Sequence, residues 1–447
     1  MSDDQLIEGP ENKEPEEEAQ PAPVAPKVEK KDAGKIFLEE ITSGPPRHLP
    51  RWRRLLQSIL IPILAIFLGM VCAGIIIIFT SESVWAAFQV SLGAGLKESW
   101  QVVISSYAAL GVGAFGNPGQ IIPALLSGNT AEFNQAIYPI TEGLVASTPY
   151  IFAGLSVAFG FRAGLFNIGA EGQLFLGAIF AAFVGYSLQG LPIYIHLPLA
   201  FLAGALGGGI WGFIPGWLKA KTGAHEVINT IMMNYIAFRL SDWLLTGPMK
   251  RPNSYNPISP TIEPSAQFPI FFGSPVRLHL GFIVALLVAA LVSWYLFKTK
   301  WGFDLRTAGT NPRAARYAGM SVTMQLVLGM GIAGALAGMA GGNEVLGVNH
   351  NLAMAFSSGY GFDAIAIALL GNSSPFGVVF ASLLFGFLRS GATNMMLKTG
   401  IPIDIVSVVQ AFVLVFIAAP AITRTIFRLK QPTKGEEVVL ATSWGGK

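Results

Sequence analysis

The chain has 447 residues, 52% of them hydrophobic and only 12% charged, with 51 glycines and a formal net charge of +3. This composition excludes an ordinary soluble domain and places the chain in a bilayer, where no nucleic-acid partner is expected, and the small net charge carries little information about partners. Cys72 is the single cysteine and lies inside the first apolar run, which excludes an intrachain disulfide and leaves no thiolate-built metal site.

Residues 1–32 hold ten acids, four lysines and five prolines, with almost nothing to form a core. Residues 1–48 are therefore expected to be a disordered, acidic cytosolic tail. The apolar run 59–79 begins too far from the N-terminus for a cleaved signal peptide and is long enough to span, so it is the first predicted membrane helix. Segment 102–115 is too short and glycine-rich to count as a span and is expected on the outer side, as an interfacial or re-entrant piece. Further spans are expected at 138–159, 170–188, 197–218, 227–245, 278–297, 322–341, 356–371, 376–396 and 403–422. The fold class is thus all-α, a polytopic membrane protein of about ten helices with broken or re-entrant segments. The membrane domain is expected to cover 49–431, followed by a cytosolic C-terminal tail, 432–447.

Lys and Arg clusters fix the orientation. Arg51, Arg53 and Arg54 precede the first helix, Lys219 and Lys221 follow the fourth, Lys298, Lys300, Arg306, Arg313 and Arg316 follow the sixth, and Arg424, Arg428 and Lys430 follow the tenth. With both termini in the cytosol, all four clusters are cytosolic. Residues 248–275, rich in proline and serine, become an external loop.

Three patterns suggest chemistry that their context does not support. "GVGAFG" at 111–116 has no preceding strand and no βαβ unit around it, so it is not a dinucleotide fingerprint. His225 and Glu226 begin a zinc-protease pattern, but position 229 is Asn, so no metal site is expected. Gly204, Gly208, Gly212 and Gly216 recur every four residues and form a smooth stripe for close helix packing, as does "GIAGALAGMAGG" at 331–342.

Polar residues inside apolar runs are costly and therefore informative. Glu226, Thr230 and Asn234 form one stripe down the fifth predicted helix. Asp363 and Arg389 sit in the middle of apolar runs, where they either serve a solute path or pair with each other. "FRAGLFNIGAEGQLFLGA" at 161–178 places Asn167, Glu171 and Gln173 among glycines. It reads either as a broken helix whose freed polar groups line a cavity, with Asn167 and Glu171 four apart on one face, or as a tight cytosolic turn capped by Asn167.

Four motifs in order, "GFRAGLFNIGAEGQLFLGA", "GAHEVINTIMMNYIA", "AGTNPRAARYAGM" and "GYGFDAIAIALLGNSSPFGVVFASLLFGFL", resemble the membrane subunits of bacterial ABC importers for simple sugars, branched-chain amino acids and nucleosides. The nucleoside branch is the most similar. The resemblance covers about 138–422 and leaves the acidic tail and 80–135 without a role. It implies a permease in the bacterial plasma membrane, not an enzyme, that works with a cytosolic ATP-binding subunit, a second homologous permease and an external substrate-binding lipoprotein. ATP and Mg would be used by the ATPase, with no cofactor on this chain. The same resemblance makes 298–319 the coupling loop, with Gly309, Asn311, Arg313, Ala314, Ala315, Arg316 and Gly319 meeting the ATPase. Asn311 and Pro312 are good helix-start residues, and Ala314 and Ala315 would leave a small flat surface. A plain positive-inside loop is the alternative. Asn167, Glu171, Gln173, Asn234, Glu344 and Asp363 are the residues expected to line or brace the solute path. The expected function is uptake of a small polar solute, a nucleoside before a simple sugar. A self-sufficient proton-coupled transporter using Glu171 or Asp363 is the other reading.

Overall fold

The computed structural model describes residues 51–428. The expected tails 1–48 and 432–447 lie outside them. Among the described residues the chain is α-helical, with two isolated β-bridges and no sheet.

In chain order the helices are α1 (Arg51–Thr80), α2 (Glu82–Val90), α3 (Leu92–Phe115), α4 (Pro118–Ser127), α5 (Thr130–Arg162), α6 (Ala170–Ser187), α7 (Ile193–Thr222) and α8 (Glu226–Thr246). They continue as α9 (Gly281–Lys298), α10 (Lys300–Thr310), α11 (Pro312–Tyr317), α12 (Val322–Asn343), α13 (Tyr360–Leu370), α14 (Pro375–Thr399), α15 (Asp404–Ala418) and α16 (Pro420–Ile426). Short polar residues begin several of them. Asn129, Thr299, Asn311 and Ser321 each accept a backbone N–H from the first turn of α5, α10, α11 and α12. Gly223 and Gly400, both in the left-handed region, close α7 and α14.

Seven helices among the described residues are long and apolar enough to cross a membrane: α5, α6, α7, α9 and α14 in full, the Ile63–Thr80 part of α1, and α12 with the turn that extends it to Asn349. The other three expected spans are also helical. α8 falls short in apolarity because it carries Glu226, Asn234, Arg239 and Asp242, whereas α13 and α15 are short. Along α1 the residues Ile63, Phe67, Val71, Ile75 and Phe79 are exposed at every fourth position, as a lipid-facing stripe requires.

Two expectations about the chain path are corrected. The segment expected to be a short piece at 102–115 is part of the continuous α3, packed along α14 and α1. The polar residues that hid this helix bond within it or to its neighbours: Ser99 and Ser106 donate to Gly95 and Val102 carbonyls, and Tyr107 donates to the Met70 carbonyl. The broken helix is also not at 161–178. α12 passes through a π-helical turn at Glu344–Asn349, the chain then runs without helix through 350–359, and α13 follows as a helix of 11 residues. At roughly 1.5 Å per residue this is about 16 Å, half of a hydrocarbon core. Residues of the 248–275 loop satisfy the backbone of the extended part: Ser259 and Ile262 donate to the Leu352 and His350 carbonyls.

The two glycine stripes pack on each other. Gly208 of α7 lies against Gly334 and Gly338 of α12 so closely that neither helix has room for a side chain there. α5, α6, α7 and α12 form the centre of the main apolar core, and a second cluster joins α1 and α3 to α14 and α15.

Candidate functional site

α5 ends at Arg162 and α6 begins at Ala170, so the stretch 163–169 is a turn. Gly164 adopts a left-handed conformation (φ 71°), and Asn167 accepts the Gly169 N–H at 3.1 Å, which closes the turn. Asn167 and Glu171 therefore do not share a helical face. Asn167 donates to the Gln173 side-chain oxygen at 2.8 Å and accepts from the Gln173 amide at 3.2 Å. It also reaches Ser156 of α5.

The first turns of α6 and α13 lack caps of their own, and side chains from other helices take that place. Asn234 of α8 accepts the Gly172 N–H at 2.8 Å and donates to the Ile168 carbonyl at 3.0 Å. Glu171 accepts the Gly361 N–H of α13 at 2.6 Å. Free N–H groups at helix starts are thus satisfied across the bundle. Asn167, Glu171, Gln173 and Asn234 are each at most 2% exposed. The structure brings these four together as a brace.

A second group stands around α13. The Tyr150 hydroxyl of α5 donates to Asp363 at 2.9 Å and accepts from Arg389 of α14 at 3.1 Å. The two charged groups are thus joined through a hydroxyl, and Arg389 also lies over the Tyr360 ring, 5.5 Å from its centroid. Asp363 and Arg389 are half-buried. Glu344 opens the π-helical turn and is buried. Tyr150 and Tyr360 escaped sequence reasoning because a tyrosine in an apolar helix reads as core; their edge-to-face contact at 5.0 Å shows the role they share.

Just before α9, Arg277 pairs with Glu142, whose carboxylate holds the guanidinium above its ordinary range. Nearby, burial pushes His279 down to about 4, with His350 and Arg277 adding to the effect. Its Nδ1 accepts the Gly281 N–H at 3.1 Å, its Nε2 has no protein partner, and its ring lies against Phe268. Burial lowers His350 as well.

The Lys/Arg-rich segment folds as α10 and α11 with a bend at Asn311, whose side chain caps Ala314. Arg313, Ala314 and Arg316 are exposed, as are Asn311 and Gly319, and Gly309 is half-buried. Ala315 differs from the flat exposed surface expected of it: it is fully buried with Ala308 and Val322, because the short helix needs one small residue to seat on its support. Tyr317, 95% exposed, is the large residue on this surface that the sequence did not single out. A groove of about 470 Å³ runs beside it, lined by Lys300, Trp301, Asp304 and Met324 among others.

Residues 140–418 match the family described as branched-chain amino acid transport system, permease component. The guanosine ABC transporter permease protein NupP of Bacillus subtilis is 40% identical over 375 residues, covering 81% of this chain and 94% of that protein. The nucleoside ABC transporter permease protein NupB of Lactococcus lactis is 35% identical, covering 67% of this chain and 84% of its own length. The glucose ABC transporter permease protein TsgB13 of Haloferax volcanii is 38% identical over 63% of this chain and 76% of its own. No solved structure matches significantly. The chain belongs to this permease family: it is an integral membrane subunit of an ABC importer, a transport component rather than an enzyme, served by separate ATPase and substrate-binding partners.

Proposed function

We propose that this permease imports nucleosides, pairing with a second, homologous permease and receiving its solute from an external binding lipoprotein. The observation that carries the solute class is the similarity to a guanosine permease along 94% of that protein's length. The chemistry around α13 supports it. Asp363 and Arg389, half-buried against the buried Tyr150, Tyr360 and Glu344, offer carboxylate and guanidinium groups that suit the hydroxyls and polar base edges of a nucleoside. The buried set Asn167, Glu171, Gln173 and Asn234 braces this wall. Brief hydrogen bonding of this kind holds a solute loosely enough to release it. Asn311, Arg313, Ala314, Arg316 and Gly319, with Tyr317, form the surface offered to the ATPase, while Ala315 supports it from beneath and Gly309 seats it on the turn at Gly164. ATP and Mg act on the partner ATPase.

The similarity to a glucose permease favours a sugar as the second reading. Uptake of labelled guanosine, adenosine, ribose and glucose by the complete complex in proteoliposomes separates the two. Guanosine uptake that needs ATP and the ATPase, and ignores an uncoupler, is the expected result. Glucose or ribose uptake without nucleoside uptake moves the assignment to sugars. Uptake that survives without the ATPase and stops with an uncoupler overturns the importer mechanism for a proton-coupled one.

A further inference from the structure

Arg162 and Glu171 bracket the turn between α5 and α6, and each grips one end of α13. At the C-terminal end, Arg162 donates to the carbonyls of Ser373 (2.9 Å) and Asn372 (3.2 Å). These residues close α13, for Asn372 and Ser373 donate back to the Leu369 and Ala368 carbonyls. Both sit in the left-handed region, at φ 51° and 47°, which residues with side chains occupy only when held. At the N-terminal end Glu171 accepts the Gly361 N–H. The Arg162 cation at the C-terminus complements the helix dipole, and the Glu171 carboxyl caps the N-terminus by accepting a free N–H.

The same turn touches α10. The backbones of Gly164 and Gly309 meet so closely that a Cβ on Gly164 would stand 2.6 Å from the Gly309 carbonyl oxygen. Arg162 and Arg306 also share the Phe297 ring, at 5.6 and 5.1 Å from its centroid. A displaced α10 therefore pushes on the turn directly, without a flexible side chain between them to absorb the motion. The turn is closed by its own bonds, through Asn167, Gly169 and Gln173, and so moves as one piece.

We propose that residues 162–171 are a yoke that carries the motion of α10 to the half-helix α13, with Arg162 as the positioning residue that holds α13 to the yoke. α13 then swings between Gly359, itself in the left-handed region, and the Asn372–Ser373 turn, taking Tyr360 and Asp363 with it. This rests on the reading that α10 and α11 meet the ATPase.

The test uses the complete complex in proteoliposomes, with Arg162→Gln and Arg162→Lys variants and spin-label pairs in a Cys72→Ser background. The pair Trp217→Cys with Phe362→Cys reports α13 against α7, and Trp217→Cys with Phe303→Cys reports α10. All three label sites are exposed. In the unaltered yoke both distances should shift between nucleotide-free and ATP-trapped states. With Arg162→Gln the Phe303 distance should still shift while the Phe362 distance does not, and the solute moved per ATP should fall about tenfold, the size of a typical coupling between sites. Arg162→Lys, which keeps the charge, should restore part of that ratio. An unchanged solute-to-ATP ratio in Arg162→Gln, or a Phe362 distance that still follows nucleotide, overturns the yoke. If the Phe303 distance ignores nucleotide and Arg313→Glu with Arg316→Glu leaves ATPase binding intact, the coupling-segment reading falls first and the yoke with it, a pattern distinct from failure of the yoke alone.

Discussion

Glu171 accepts a hydrogen bond from a backbone N–H that has no partner in its own helix, so the shape of its carboxyl group matters more than its charge. Glu171→Gln keeps an acceptor oxygen in place, whereas Glu171→Leu leaves a buried N–H unsatisfied at a cost of about 1–3 kcal/mol. Uptake by the reconstituted complex should fall only slightly for Gln and severely for Leu; equal tolerance of both would remove Glu171 from the brace. His279 gives a prediction in pH. Unfolded, it binds a proton below its ordinary value of 6.5, but in the fold only below about 4, so between these values the unfolded chain holds more protons. Stability should therefore decline as pH falls from 6.5 towards 4, with His350 acting in the same sense. Thermal melts of the purified protein across that range should show the decline, and His279→Gln should flatten it. The cost of burying Glu171, Asn234 and Asp363 was legible in the sequence. Their partners were not, because the bonds of Glu171 and Asn234 cap helices 190 and 62 residues away, and no local pattern records such a pairing.

Helix α7 meets α12 along two stripes of glycine, and this was legible because a spacing of four puts small residues on one face whatever lies opposite. Contact between backbones leaves no room to adjust. Gly208→Leu should force α7 and α12 apart, costing about 1–3 kcal/mol or more as an overpacked site. Gly209→Ala, one position round the helix and facing ordinary contacts, should be tolerated. Melting temperature and yield of monodisperse protein check both, and equal effects would show that the stripe does not set the packing. The location of the broken helix was not legible for a related reason. Glycines at 164 and 169 look like breakers and do end a helix, but they make a turn between two helices. The real interruption, 350–359, ends in a single glycine and is stabilised by a loop about ninety residues earlier, as the Ser259 to Leu352 bond shows. α3 was hidden by serines and a charged pair that lower its apolarity, although its serines bond back to its own carbonyls.

The family match begins at residue 140, yet α1 and α3 before it are built into the same body by packing on α14 and α15, which lie inside the match. In lipid the gain from such packing comes from close fit and satisfied polar groups, since lipid tails cover apolar surface as well as leucine does. The joint between α3 and α14 has both features. Gly113 and Gly391 let the helices approach, and Asn394 of α14 donates to the Ala109 carbonyl of α3. Removing 1–128 should therefore leave the Asn394 amide without its partner and an irregular groove that lipid chains fill poorly, so the remaining protein should melt several degrees lower or aggregate on extraction. Removing 1–32 should do neither, because ten acids and five prolines bring no apolar surface to any core. Thermal melting and size-exclusion profiles of the two truncated proteins, beside ATP-dependent uptake, make the comparison. If the longer truncation is as stable as the intact chain, α1–α4 are an attachment rather than part of the bundle; if the shorter one loses the ATPase, the acidic segment is a docking arm and its composition serves a partner instead of the fold.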